Sequence, residues 1–245
     1  MTYSKNAPFR ADVVGSYLRP DELKQARADY AAGIIDAAGL KAIEDRLITD
    51  LVAKQKAAMT VPQRVLDTMN SGLIYTCDDE EMIKAQKEQM ELLYDFNATR
   101  PSQMTQRNEI ARQLLGEFGE DAYIEPPLHA NWGCNTYFSA HAYANFNLTL
   151  VDDGEVHIGE HTMIGPNCTI ITTGHPIRPD LREKVTQYSL PVTIGRNVWL
   201  GANVTVLPGV TIGDNSVIGA CSLVTKDIPA NMVAFGQPCK VYREN

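Results

Sequence analysis

Nowhere does this chain hold the ~18 consecutive apolar residues of a membrane-spanning helix. Its opening, MTYSKNAPFR, also lacks an apolar run behind its basic residues. Neither a membrane partner nor a secretory leader is expected, and the expected location is the cytoplasm. Positive charge is in deficit: 22 Lys and Arg stand against 30 Asp and Glu, a formal net charge of −8. A phosphate backbone selects a basic surface, so no nucleic-acid partner is expected, although a local basic pocket for a phosphate-bearing cofactor stays open. Paired cysteines are missing too. Cys77, Cys134, Cys168, Cys221 and Cys239 are scattered without C-x-x-C spacing, and reduced thiols are the simplest account. Cys168 and Cys221 read as small core or corner residues, because nothing nearby in sequence supplies an activating partner for a catalytic thiol.

What the chain has instead is a period of six. Ile158, Ile164 and Ile170, then Ile194, Leu200, Val206, Ile212, Ile218 and Val224, recur in phase, and six of these nine are followed by Gly159, Gly165, Gly195, Gly201, Gly213 and Gly219. Two positions before each stands a β-branched or small residue: Val156, Thr162, Cys168, Val192, Val198, Val204, Val210, Ser216 or Ser222. That interval fits neither a 3.6-residue helix nor a strand meander; it fits a parallel β-helix of hexapeptides. Each strand points one aliphatic side chain inward, and each glycine is expected to turn a corner at positive φ. Coils must stack, because none buries its own apolar face. The fold class is therefore mainly β, a β-helix preceded by α-helical segments.

The chain divides into residues 1–58, 59–122 and 123–245. In the first part Pro20 and Asp21-Glu22 suit a helix start, with Gly33 as its stop. A second helix is expected from Asp36, with Leu40, Ile43, Leu47, Leu51 and Lys54 along one face. Met59-Thr60 reads like the start of a separate protein. In the second part Val65, Met69 and Leu73 lie along a short helix interrupted near Gly72. Asp78 to Glu81 crowd the start of the next, whose face is Met82, Ala85, Gln89, Leu93 and Phe96. Ser102 is expected to cap a third helix running to Leu115.

The repeat breaks between Ile170 and Ile194, yet its phase survives. A long excursion, 172–191, from a rigid solenoid marks a binding loop. At its root stands His175, between Gly174 and Pro176, where the backbone is constrained and an imidazole suits proton transfer near neutral pH.

From about Met59 onward the chain resembles the galactoside/maltose O-acetyltransferases of the hexapeptide-repeat family. The matching stretches are Tyr143 to Thr149, Val151-Asp152-Asp153, Thr173 to Pro176, Ile194 to Gly201, Pro208 to Asn215, Val224 to Pro229 and Gly236 to Cys239. The resemblance implies a left-handed β-helix, an exception to the right-handed crossover rule. It also implies a homotrimer with sites between subunits, acetyl-CoA as co-substrate, a sugar hydroxyl as acceptor and no metal. By position, His175 matches the family's general base, and no acyl-enzyme is needed when two bound substrates are positioned together. Asn145 and Asp153 match acceptor contacts. Cys77, with Asp78 beside it, stands where an aspartate is found, and Asn131 where a serine is found. Both departures bear on the acceptor: another hydroxyl compound, such as an antibiotic or an oligosaccharide, stays open, as does a non-catalytic scaffold. On the donor side, Ala202 matches a backbone N–H donor, Ala220 a pantetheine contact, and Thr225 and Lys226 the next CoA contacts. Lys240 and Arg243 match basic positions near the phosphates, Lys240 replacing an arginine. Trp199 matches an aromatic of the intersubunit cleft. Trp132 is expected either to line the sugar site or to be buried.

His157 and His161, four apart, invite a zinc reading together with His175, but a six-residue coil should turn them in different directions. His129 and His141 have no assignment. The first 58 residues resemble the opening of cobalamin-independent methionine synthase-like proteins through Phe9-Arg10-Ala11-Asp12 and Val14-Gly15-Ser16-Tyr17-Leu18-Arg19-Pro20. One strand and two helices cannot close that family's TIM barrel, so the segment is expected to be a fused fragment without methyltransferase activity.

Overall fold

The protein is described by a computed structural model covering residues 21–58 and 61–245. Phe9 to Pro20 and Met59-Thr60 lie outside the described residues. The chain forms two compact units, Met1–Thr60 and Val61–Asn245. In the first, α1 (Asp21–Ala31) and α2 (Ala37–Ala58) are antiparallel neighbours in sequence. Gly33 sits at φ +75°, as its place behind α1 predicts, and the Asp36 carboxylate accepts from the Gly39 N–H at 2.7 Å to open α2. Leu23 and Ala26 are buried, and Arg27–Glu44 and Arg46–Glu22 ion pairs join the helices. Among the described residues no helix is long and apolar enough to cross a membrane.

The second unit opens with α3 (Gln63–Met69), β1 (Tyr75–Thr76), α4 (Glu80–Asn97) and α5 (Met104–Leu114). Asp79 caps α4 by accepting from the Met82 N–H at 2.9 Å. Three expectations need correction here. Helix α3 stops at Asn70, so Leu73 is left exposed. Leu92, not Leu93, completes the buried face of α4 with Met82, Ala85, Gln89 and Phe96. Ser102 is not the cap of α5: Gln103 holds that position, and its side-chain oxygen accepts from the Arg100 N–H at 2.8 Å.

The β-helix then rises in three faces. The first holds β2 (Glu117–Phe118), β5 (Thr136–Phe138), β8 (Val156–Ile158), β13 (Val192–Ile194) and β16 (Thr211–Ile212). The second holds β3 (Tyr123–Ile124), β6 (Tyr143–Ala144), β9 (Met163–Ile164), β14 (Trp199–Leu200), β17 (Val217–Ile218) and β19 (Met232–Gly236), closed by antiparallel β20 (Cys239–Glu244). The third holds β4 (Leu128–Ala130), β7 (Leu148–Val151), β10 (Thr169–Ile171), β15 (Thr205–Val206) and β18 (Leu223–Val224). The first coil thus starts at Glu117, ahead of the 123 boundary, because β2 already pairs in parallel with β5. All nine repeat aliphatics are buried, and so are the residues two before them. Where those are polar they reach neighbouring carbonyls: Thr162 Oγ1 donates to Gly195 O at 2.7 Å and Cys168 Sγ to Gly201 O at 3.1 Å.

The glycines that directly follow the repeat aliphatics do not turn the corners. Positive φ belongs to His141, Asn147, His161, Asn167, Asn197, Asn203, Gly209, Asn215 and Cys221, each three residues past an inward-facing residue. Asparagine tolerates that conformation better than most side chains. The repeat glycines are required by proximity instead. A Cβ on Gly159 would lie 2.4 Å from the Gly195 carbonyl carbon, and one on Gly213 would lie 2.4 Å from Ala230 N. Each glycine lets the next coil's backbone pass directly over it.

Coil length decides where the chain has residues to spare. Late coils advance by 18 residues, with Thr193 beside Thr211 and Trp199 beside Val217. Early coils advance by 20, with Tyr137 beside His157 and Thr149 beside Thr169. One coil advances by 36, with His157 beside Thr193. Every surplus residue falls on the edge between the third and first faces: at Asn131 to Gly133, at Asp152 to Gly154, and in the 172–191 excursion.

Two outcomes follow. Gly159→Ala is expected to lower unfolding stability by about 1–3 kcal/mol through overpacking, whereas Asn203→Gly, at φ +58°, stays within about 0.5 kcal/mol in the same denaturation series. A thiol probe at neutral pH should label Cys221, exposed at its corner, and leave Cys168 unreacted, since burial pushes the Cys168 thiol up to about 11.

Candidate active site

The surplus residues of the third-to-first edge build a polar cluster. Asp152, fully buried, accepts from Trp132 N at 2.9 Å, Gly133 N at 2.7 Å and Thr136 Oγ1 at 3.0 Å. It pins the lower surplus loop to the one above. Burial pushes its carboxyl up to about 6 against these hydrogen bonds. Next to it, Asp153 is also buried. Its Oδ2 accepts from Asn131 Nδ2 at 2.9 Å and Thr173 Oγ1 at 3.0 Å, and its Oδ1 from Trp132 Nε1 at 3.3 Å and Gln187 Nε2 at 3.2 Å. Four donors occupy the carboxylate's acceptor positions, so an incoming hydroxyl competes with Asn131 and Thr173 for it.

The excursion is held as firmly. β11 (Thr173–Gly174) and β1 flank β12 (Thr186–Ser189) in an antiparallel sheet. Gln187 Nε2 donates to Tyr75 Oη at 2.6 Å, and that hydroxyl lies 3.3 Å from Ser189 Oγ. Gly174 is needed because a Cβ there would stand 2.8 Å from the Tyr188 hydroxyl oxygen. Arg182, at the end of the short helix α6 (Pro179–Arg182), donates to the Pro176 and Ile177 carbonyls at 3.3 and 3.0 Å.

His175 is exposed at the root of this loop. Its Nδ1 lies 2.9 Å from the Thr186 carbonyl oxygen. A carbonyl only accepts, so Nδ1 carries the proton and Nε2 presents a lone pair. An imidazole held this way can accept a proton at Nε2. Cys77, half-buried after β1, donates its N–H to Val185 O at 3.4 Å. Burial, then the Asp153 and Asp78 charges, raise its thiol. Burial raises Cys134 to about 12. Neither sulfur is set up as a nucleophile.

The expected site residues divide between edges. Asn131, Asp153 and His175 meet on the third-to-first edge, with Cys77 and Asp78 following the strand that braces the loop. Thr225 and Lys226 lie on the same edge beyond β18. Asn145, Ala202 and Ala220 lie on the other side of the third face, on its edge with the second. From Ala220 to Thr225 the chain crosses β18, roughly 15 Å at strand rise. Trp199 projects from the second face with 54% of its surface exposed. Lys240 and Arg243 pair with Phe235 and Val233, two apart on β19, because β20 bulges at Tyr242; both cations therefore share one face of the sheet.

His157 and His161 do diverge. His157 stacks on Tyr137 and contacts Glu155, while His161 stacks on His141. Trp132 is buried, its indole N–H spent on Asp153. Sequence reasoning did not assign roles to Asp152, Gln187, Tyr75, Thr173 or Ser189. One signal was present: Leu150 and Ile158 are eight apart where the repeat demands six, which marks surplus residues at that corner.

Two family descriptions match: the bacterial transferase hexapeptide (six repeats) over residues 191–226, and the maltose acetyltransferase hexapeptide capping motif over residues 68–119. The chain is 53% identical over 172 residues to a galactoside O-acetyltransferase of Lactococcus lactis, spanning 70% of this chain and 83% of that protein. It is 46% identical over 178 residues to the galactoside O-acetyltransferase of Escherichia coli, spanning 73% and 88%. A crystal structure of a maltose O-acetyltransferase from Clostridium difficile superposes with a TM-score of 0.72 at 39% identity, over 74% of this chain and 96% of that one. A galactoside acetyltransferase in complex with coenzyme A superposes with a TM-score of 0.68 at 44% identity, over 76% and 90%. With its parallel coils, its helical cap and these relatives, the chain belongs to the hexapeptide-repeat galactoside/maltose O-acetyltransferase family.

Proposed function

We propose that the protein transfers an acetyl group from acetyl-CoA to a sugar hydroxyl, with His175 as general base. The observation that carries this reading is the Nδ1–Thr186 contact, which leaves Nε2 as the lone-pair nitrogen at the loop root. In the forward step Nε2 takes the hydroxyl proton as the oxygen attacks the thioester carbonyl. The tetrahedral oxyanion collapses, the C–S bond breaks, and Nε2–H returns the proton to the departing thiolate. The Ala202 amide is the proposed oxyanion donor. No acyl-enzyme forms, in keeping with the raised thiols of Cys77 and Cys134.

Asn131, Asn145, Asp153, Cys77 and Asp78 are the proposed acceptor contacts. Ala220, Thr225, Lys226 and Trp199 line the donor side, and Lys240 and Arg243 meet the CoA phosphates from one face. Cys77 in place of an aspartate and Asn131 in place of a serine favour an acceptor that differs in detail from a galactoside. The active unit is a cytoplasmic homotrimer. This rests on the division of the site between two edges: one chain's Ala202 and Ala220 edge completes a neighbour's His175 edge. Residues 59–116 serve as a helical cap and 117–245 as the catalytic β-helix. Residues 1–58, a compact unit of their own with residues 59 and 60, are a methionine synthase-like fragment without methyltransferase chemistry.

Thiol release from acetyl-CoA across galactosides, glucose, maltose and non-sugar alcohols tests the activity. Acceptor-dependent release should fall by roughly 10²–10⁴-fold in His175→Ala with the fold retained; full activity in that variant would sink the mechanism, and CoA binding without turnover of any acceptor would favour a scaffold. For the shared site, His175→Ala and Ala220→Trp chains, each inactive alone, are refolded together one to one. Random mixing pairs intact edges in about a quarter of sites, so about a quarter of wild-type turnover should return. No recovery from verified mixed trimers would place each site within one chain.

A further inference from the structure

The edge between the first and second faces carries histidine where later rungs carry asparagine. Asp121, His141, His161, Asn197, Asn215 and Asn231 occupy one corner position on successive rungs, at φ between 52° and 61°. Asn197, Asn215 and Asn231 link their side-chain amides in a ladder at 3.0 Å per step. On the early rungs that ladder is replaced by two imidazoles. The His141 and His161 rings lie nearly parallel, 10° apart in plane with centroids 4.8 Å apart. Carboxylates stand at both ends: Glu160 Oε1 is 3.4 Å from His161 Nε2, and Asp121 Oδ2 is 3.9 Å from His141 Nδ1. One donor atom each from His141, Glu160 and His161 lies within 4.8 Å of the others.

We propose that His141, His161 and Glu160 bind one divalent transition-metal ion, of the Zn²⁺ class, bridging two coils of the β-helix. Two imidazoles with a carboxylate select Zn²⁺, Ni²⁺ or Cu²⁺ over the hard cations that prefer oxygen alone. Ligands at about 2.0–2.2 Å from zinc sit roughly 3–4 Å from one another, and rotation of these exposed side chains closes the remaining gap. The two anchors are fixed: the His141 N–H donates to Glu120 O at 2.8 Å and the His161 N–H to Ala140 O at 3.2 Å. A fourth position is left for water or Asp121. The site lies on a different edge from His175, so the ion has no part in acetyl transfer. Its effect is to fasten early coils, whose corners hold surplus residues, and it binds the folded chain alone.

The test is calorimetric titration of Zn²⁺ into the metal-free full chain, beside the double variant His141→Asn, His161→Asn. Asparagine restores the residue of the later rungs, so the variant folds, and unchanged acetyl-CoA turnover confirms it. One ion per chain should bind the wild type and raise its melting temperature by several degrees. Affinity should fall at least tenfold in the double variant, and the Co²⁺-loaded wild type should lack a thiolate charge-transfer band. Equal affinity in the variant, a thiolate band, or no binding at micromolar Zn²⁺ would each overturn the site.

Discussion

Everything in the β-helix depends on how closely one rung passes over the next. Parallel strands sit about 4.8 Å apart, and where the chain bends after the inward aliphatic the next position faces the neighbouring coil's backbone. At Gly159, Gly165, Gly201 and Gly213 a single added carbon would fall inside the neighbouring coil's backbone. That contact sets the composition of the repeat: an aliphatic inward, a glycine beneath the next rung, and a residue that accepts positive φ three positions on. Hydrogen bonds between rungs and corner amide ladders then use the same spacing.

A scaffold this tight has no room for extra residues on its faces. Surplus residues go to one edge, where they stack as Asn131 to Gly133, Asp152 to Gly154 and the long excursion. Asp152 ties the first two layers together and Asp153 ties the second to the third. The result is a saturated carboxylate on the same edge as a histidine whose tautomer is set by a backbone carbonyl. Cap and loop are also one construction, since Tyr75 of β1 and Gln187 of β12 share a hydrogen bond.

The architecture was readable because a six-residue period has few physical solutions, and the excursion with His175 at its root because it is the longest break in that period. The reason for the glycines was not readable. A glycine at a corner suggests conformational freedom, whereas proximity between coils is a property of residues 16 or more apart in sequence. For the same reason Gln187 and Tyr75 gave no sign of meeting. Helix ends were missed where a local competitor intervened, as when Gln103 took the capping position expected of Ser102. That the expected site residues fall on two edges was implicit in strand length, but it became visible only once Asn145 and Asp153 were placed at opposite ends of β7.

The excursion leaves from Thr172 and rejoins at Leu190, whose N–H donates to the Thr172 carbonyl at 2.8 Å. That bond closes the loop at its base, so the rungs above and below meet as though nothing intervened. Insertions or deletions beyond that closure change only what hangs outside the prism. The outer part of the excursion can be reshaped residue by residue, while the rungs themselves can change only by whole turns.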